Sequence, residues 1–260
     1  MDQDCNFVGE KMSTAMTPFR WKNCFADVQA GKHDITIRSY LDDVIVPALE
    51  TLDRRIDELG RSNSPGHEFA QADMEDVLRE TKMAFSLSIQ SIWERQLRAY
   101  LRGCANELRP HTPAVVKVEK ADWRDLRKLF HDLRGIAIES FPSFDALDIL
   151  HHLGNACRHG DGRSTVELSQ RCPDLWPPIP PLPPEFGPAP SNPPSTAAMN
   201  ISVDRLRSFV DSIAAFWLDA EYIYNESIER KHSSLEARLV RERAERNWLP
   251  KAAVSQRVQE

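Results

Sequence analysis

The residues best equipped for chemistry lie between 144 and 163, in FDALDILHHLGNACRHGDGR. Histidine moves protons near neutral pH, asparagine orients a ring or a hydroxyl, and arginine offsets phosphate charge. Wound as a helix at about 100° per residue, Asp148, His152, Asn155 and His159 fall within about 60° of one another and stack as a polar column. His151 and Arg158 flank the column. Ile149, Leu150, Leu153, Ala156 and Cys157 fill the opposite arc of about 120° and must face a core. Gly160 stops the helix, and Gly162 lets the chain turn away. His159 therefore sits on the last turn, where the exposed carbonyl ends favour a protonated imidazole.

Three readings of this column are open. In the first it performs acid/base work on a phosphodiester: His159 moves the proton, Asn155 orients the ring or a ribose hydroxyl, and Arg158 offsets phosphate charge. In the second it binds a metal. Asp148 and His152 are one turn apart and His152 and His159 two, but a third ligand would have to come from elsewhere. In the third it is a polar helix face, solvated or packed under another helix. No other constellation competes. Glycines in GxGxxG or GxxxxGK order, a GxSxG elbow and an HExxH pair are all missing from the sequence. The aromatic residues lie mostly on core stripes, which argues against a base-stacking platform.

The elements that must position the column read as helices. Residues 1–34 lack a sustained period, and Phe19, Trp21 and Phe25 offer at most a short anchor, so this region reads as an arm. Leu41, Ile45, Leu49, Leu52, Ile56 and Leu59 then recur at spacings of three and four. Pro47 kinks that helix or starts a new one. A second, long helix is expected from about Gln71 to Glu107. Its apolar side carries Leu78, Phe85, Ile89, Ile92 and Tyr100, and its other side Arg95, Arg98 and Arg102. Glu94 precedes Arg98 by four, the favourable order for an ion pair on a helix.

The stretch RPHTPAVVKVEK reads as a connection in which VVKV is a short extended piece. Asp122 caps a helix to Arg134 with Trp123, Leu126, Leu129, Phe130 and Leu133 as its apolar side. Ser143 is the expected cap of the 144–159 helix. Eleven of the 22 residues from Pro173 to Pro194 are proline, a composition that favours extended polyproline II. It reads as a stiff connector, with PxxP ligand spacing as the sharper alternative. The last long helix begins near Ser202, and its charged continuation beyond Glu226 reads as a solvated extension.

Composition narrows the function. A net charge of −6 argues against coating nucleic acid by charge alone. Five scattered cysteines with no CxxC argue against a disulfide framework or a zinc ribbon. The start of the chain lacks the pattern of a secretory signal, and no apolar run approaches the roughly 20 residues that span a bilayer. The expectation is a cytoplasmic all-α protein without a membrane segment.

NACRHGDGRS, with Asn155 and His159 ending a late helix of an all-α bundle, resembles the HEPN superfamily. IWERQLRAYL, FPSFDALDIL and SFVDSIAAFW extend the resemblance over about residues 75–225, towards a group of uncharacterised bacterial HEPN-like proteins. The resemblance implies a helical bundle, here with a proline-rich insertion before the last long helix. It also implies a metal-independent endoribonuclease without a cofactor, working as a homodimer on RNA, in a toxin–antitoxin or antiphage setting with an antitoxin or other protein partner. His159, Asn155 and Arg158 would be catalytic, and Arg98, Glu94, Arg163 and His152 would face RNA. The sequence departs from the family's Arg-x4–6-His motif, because Gly154 stands where the arginine is expected. Arg158, Arg163 and Arg98 are the available substitutes. The alternative is a non-catalytic HEPN-like module that binds a protein partner or a nucleotide. The expected organisation is an arm (1–34), a bundle (35–250) and a tail (251–260).

Overall fold

A computed structural model describes residues 19–177, 194–246 and 248–250. Among them the chain is all α, with no strand. The helices are α1 (Phe25–Ala30), α2 (His33–Tyr40), α3 (Val46–Gly60), α4 (His67–Leu108), α5 (Ala114–Lys120), α6 (Trp123–Arg134), α7 (Phe144–His159), α8 (Arg163–Arg171), α9 (Val203–Ser227) and α10 (Ser233–Glu245).

The spine is α4. Its 42 residues span about 63 Å at 1.5 Å per residue, without a break. Its C-terminal half is sheathed by α1, α5, α6, α7 and α9, while its N-terminal half pairs with α3. Burial follows this division. The buried residues of α4 begin at Ser86, and α3 buries only Leu49. In the sheathed half, Trp93 meets Phe216 and Trp217 edge-on, and Phe130 and Phe141 close the same cluster. Edge-to-face contacts of this kind add to the area buried.

Pro47 does not break its helix. A π-helical turn over Leu41–Ile45 joins α2 to α3, with the Val46 N–H reaching back to Leu41. The wider turn sits where proline removes a donor and crowds the preceding carbonyls. At α6, Asp122 accepts the Asp125 N–H at 2.8 Å, and Gly135 ends the helix at φ 73°. Ser202 caps α9 in the same way.

Four sequence expectations change. Residues 19–34 are not a loose arm: Trp21 is buried and α1 packs on α4 and α9. The VVKV stretch is not extended. It belongs to α5, because both prolines precede the helix, where a missing N–H leaves no intrahelical bond unmade. Ser143 holds the cap position of α7 but makes no capping bond, and its hydroxyl is buried without a partner among the described residues. The charged continuation after α9 is not a solvated extension. The chain breaks after Ser227 and returns as α10, which buries Leu239 and clamps the buried Glu226 carboxylate with Arg243 at 2.5 and 2.7 Å. An isolated buried carboxylate is costly, so the arginine explains the reversal. The proline-rich connector falls largely on residues 178–193, outside the described residues.

Candidate functional site

The polar column lies on α7 as its periodicity requires, but packing splits it. Leu147, Leu150, Leu153, Gly154 and Ala156 are buried. Gly154 is the contact point with α4. A Cβ at this position would lie 2.7 Å from Gln90 Cγ and 2.9 Å from Gln90 Cβ. The arginine that the resemblance expects at 154 is therefore excluded by the close approach of α4.

The N-terminal part of the polar face is fully engaged. Asp148 accepts Arg171 Nη1 at 2.6 Å and the Trp123 indole N–H at 2.8 Å. Burial pushes its carboxyl up, but these two bonds and the charges of His152 and Arg171 outweigh that and hold it below its ordinary value. His152 lies 3.9 Å from the same carboxylate and 3.4 Å from Ser164 Oγ of α8. Among the described residues no third side chain joins Asp148 and His152 to make a metal-binding group.

His151, which spacing marks only as a flank, is a centre of this region. Its ring stacks on Trp123 with centroids 5.2 Å apart and planes 18° apart. Its Nε2 lies 3.0 Å from Asn155 Nδ2. With asparagine as donor, Nε2 accepts and the ring is neutral. Burial, then the nearby His152, lowers the His151 pKa against the opposing pull of Glu94, Asp148 and Asp122. The i, i+4 spacing of His151 and Asn155 was the available signal, hidden because a helical wheel places His151 beside the column.

Glu94 and Arg98 form the expected pair at 2.7 Å, and Gln90 donates to the other Glu94 oxygen at 2.7 Å. Burial raises the Glu94 carboxyl, yet the bonds from Arg98 and Gln90 and the charges of Arg98 and His151 leave it below its usual value. Arg98 does not face a groove. Its Nη1 donates to the Val118 carbonyl and its Nη2 to the Ala121 carbonyl, at 2.8 and 2.7 Å. The guanidinium therefore tethers the end of α5 to α4, which makes it a structural group.

The C-terminal part of the face is different. Arg158, His159 and Arg163 are all exposed and have no hydrogen-bond or ion-pair partner among the described residues. Gly160, at φ 74°, ends α7 in a conformation that favours glycine. The turn behind it is fixed: the Asp161 carboxylate accepts the Thr196 N–H at 2.6 Å, and the Thr165 and Thr196 hydroxyls meet at 2.9 Å. The structure thus brings Glu94, Arg98, His152 and Asn155 into the packed part of the molecule and leaves His159, Arg158 and Arg163 at its surface.

Among the described residues no helix is long and apolar enough to cross a membrane. No family model, no curated protein and no solved structure matches the chain.

Proposed function

We propose that this protein is a metal-independent endoribonuclease of the HEPN type, an effector of the toxin or antiphage kind that works as a homodimer through the exposed end of α7. The observation that carries this reading is the cluster of Arg158, His159 and Arg163, solvent-facing and unpartnered among the described residues on a turn anchored from behind by Asp161. A neutral imidazole takes the proton of a ribose 2′-hydroxyl as its oxygen attacks the adjacent phosphorus, and an imidazolium returns a proton to the departing 5′-oxygen. Guanidinium groups offset the charge that builds on the phosphate. With position 154 closed to arginine, Arg158 and Arg163 take that part. A second copy would bring an equal set across a two-fold axis, so that one cleft holds two histidines and four arginines.

The test is RNA cleavage in EDTA. Wild-type protein is expected to cut, and His159→Ala to lose at least about a hundredfold in rate while keeping its helical circular dichroism. Equal cleavage by the variant removes His159 from the chemistry.

One observation favours a second reading, a non-catalytic module that binds a nucleotide or a protein partner such as an antitoxin. Asn155 is hydrogen-bonded to His151 instead of His159, so His159 lacks the polar neighbour that would fix its ring. Under this reading wild type cuts no RNA, and Arg158→Ala and Arg163→Ala weaken binding of the partner.

A further inference from the structure

Away from α7, the structure holds two free cysteines in contact. Cys24, the residue before α1, and Cys104 of α4 are both buried, and their sulfurs lie 3.5 Å apart. They are 80 residues apart in sequence, so the fold alone creates the pair. Gly103 makes the contact attainable. A Cβ there would lie 2.8 Å from Ala26 Cβ, and any larger residue would push α1 off α4. A guanidinium faces both sulfurs: Arg134 Nη1 is 3.6 Å from Cys24 Sγ and 3.8 Å from Cys104 Sγ.

Arg134 is itself held rigidly. Its Nη2 donates to Asp27 Oδ1 at 2.8 Å, its Nη1 donates to the Lys22 carbonyl at 3.1 Å, and its Cζ sits over the Trp21 ring, 3.8 Å from the centroid. Tyr100 donates to the same Asp27 oxygen at 2.8 Å. The hydrogen bond with Cys104, together with Arg134, lowers the Cys24 thiol below its ordinary pKa, against burial and the Asp27 charge. A surface pocket of about 410 Å³ lined by Ala26, Tyr100 and Gly103 opens beside the α1–α4 contact, and of the two cysteines Cys24 is the one that retains some exposure, 6% against 0% for Cys104.

We infer that Cys24 and Cys104 form a thiol pair that hydroperoxides convert to an intrachain disulfide, pinning the segment that carries Trp21 and α1 to α4. Cys24 thiolate attacks the peroxide, the O–O bond breaks, and Cys24 becomes a sulfenic acid while the departing oxygen leaves as water. Cys104 sulfur then attacks Cys24 sulfur, and its proton departs with the sulfenic hydroxyl as a second water. Two thiols and one hydrogen peroxide thus give one disulfide and two waters. A disulfide S–S length is about 2.05 Å, so each sulfur has to move by less than about 1 Å from its present contact. Oxidation adds a covalent link between two elements that now meet through side-chain packing and the hydrogen bonds of Tyr100 to Asp27 and of the Phe25 N–H to Glu107. In a reducing compartment the bond would be transient.

The experiment treats the folded full chain with hydrogen peroxide, quenches, denatures in the presence of N-ethylmaleimide so that remaining thiols are capped as they are exposed, and maps peptides by mass. The Cys24–Cys104 disulfide is expected to dominate all other disulfides by on the order of tenfold, since among the described residues this is the one pair of sulfurs in contact. Dithiothreitol is expected to reverse it, and Cys157 and Cys172 to remain cappable. In urea the cysteines should scramble and that preference disappear. The Cys104→Ala variant should leave Cys24 as a sulfenic acid that dimedone labels. Because that substitution can unfold the core, the wild-type comparison decides. Absence of the Cys24–Cys104 bond in the folded chain, or the same share of it folded and in urea, overturns the inference.

Discussion

The two ends of the polar face of α7 have opposite fates. From Asp148 to Asn155 every polar side chain of the face has a partner: Trp123, Arg171, Ser164 or one another. At His159 and Arg158 none does among the described residues, although all belong to one helix and one stripe. What separates them is the neighbouring elements. The packed end lies beneath α4, α6 and α8, where an unpaired polar group would carry a desolvation penalty, so the fold supplies partners. At the free end the side chains face solvent, where water serves. Spacing on a helix therefore identifies a face, and packing decides which of its members remain available to a ligand.

The largest test of this contrast is Gly154→Arg, which installs the arginine of the HEPN pattern at the packed end. The new side chain meets Gln90 from its Cβ outward, so α4 and α7 must separate. The variant is expected to lose about 3 kcal/mol of stability, read as a lower urea midpoint, and to gain no RNA cleavage. A stable variant with raised cleavage would mean that the two helices part easily and that this end can serve as the site. Next in size is Glu94→Ala. It strips Arg98 and Gln90 of their shared acceptor, and the guanidinium is only partly exposed, at 27%. A loss of about 2 kcal/mol is expected. Retention of full stability would show that the two backbone carbonyls alone satisfy Arg98.

Much of this division could be read in the sequence. The caps at Asp122 and Ser202 and the stop at Gly160 follow from local chemistry, and the structure places them as read. The core arc of α7 is found with Leu150, Leu153 and Ala156 buried, but Leu147 and Gly154 take the buried places expected of Ile149 and Cys157, which are only partly covered. What escaped the sequence depends on contacts between distant segments. Nothing within ten residues of Glu226 announces that Arg243 will return to it. The role of Arg98 as a tether depends on where α5 ends, which no helical wheel contains. His151 looked peripheral because its partner Trp123 belongs to another helix. Gly154 appeared as a missing arginine, whereas the structure gives it a packing reason supplied by Gln90.

A pH titration of stability sharpens the comparison further, because the packed end carries perturbed groups. His151 has a lowered pKa in the fold, so below its ordinary value, near 6.5, the unfolded chain takes up a proton that the folded ring resists. Stability is expected to begin declining there. Glu94 and Asp148 are also lowered. Their stabilisation is complete above the ordinary carboxyl values, near 4, and is lost as pH falls through their folded values, so the decline should steepen in that range. Urea midpoints from pH 7.5 to 3 measure both legs. A profile flat down to pH 5 would mean that His151 is not held neutral, and the packed end would lose its distinguishing electrostatics.

The smallest stability effect is expected at the free end, and it separates the two halves most cleanly. His159→Ala and Arg158→Ala remove exposed side chains that have no partner among the described residues, so each should shift stability by no more than about 0.5 kcal/mol. His151→Ala, by contrast, removes a ring stacked on Trp123 and bonded to Asn155 and should destabilise by roughly 1–2 kcal/mol. Paired with the cleavage assay, these variants give opposite signatures. A catalytic His159 loses rate without stability, and a structural His151 loses stability first. If His159→Ala proves the more destabilising, the free end is held by contacts beyond the described residues, and its availability to RNA no longer follows from its position.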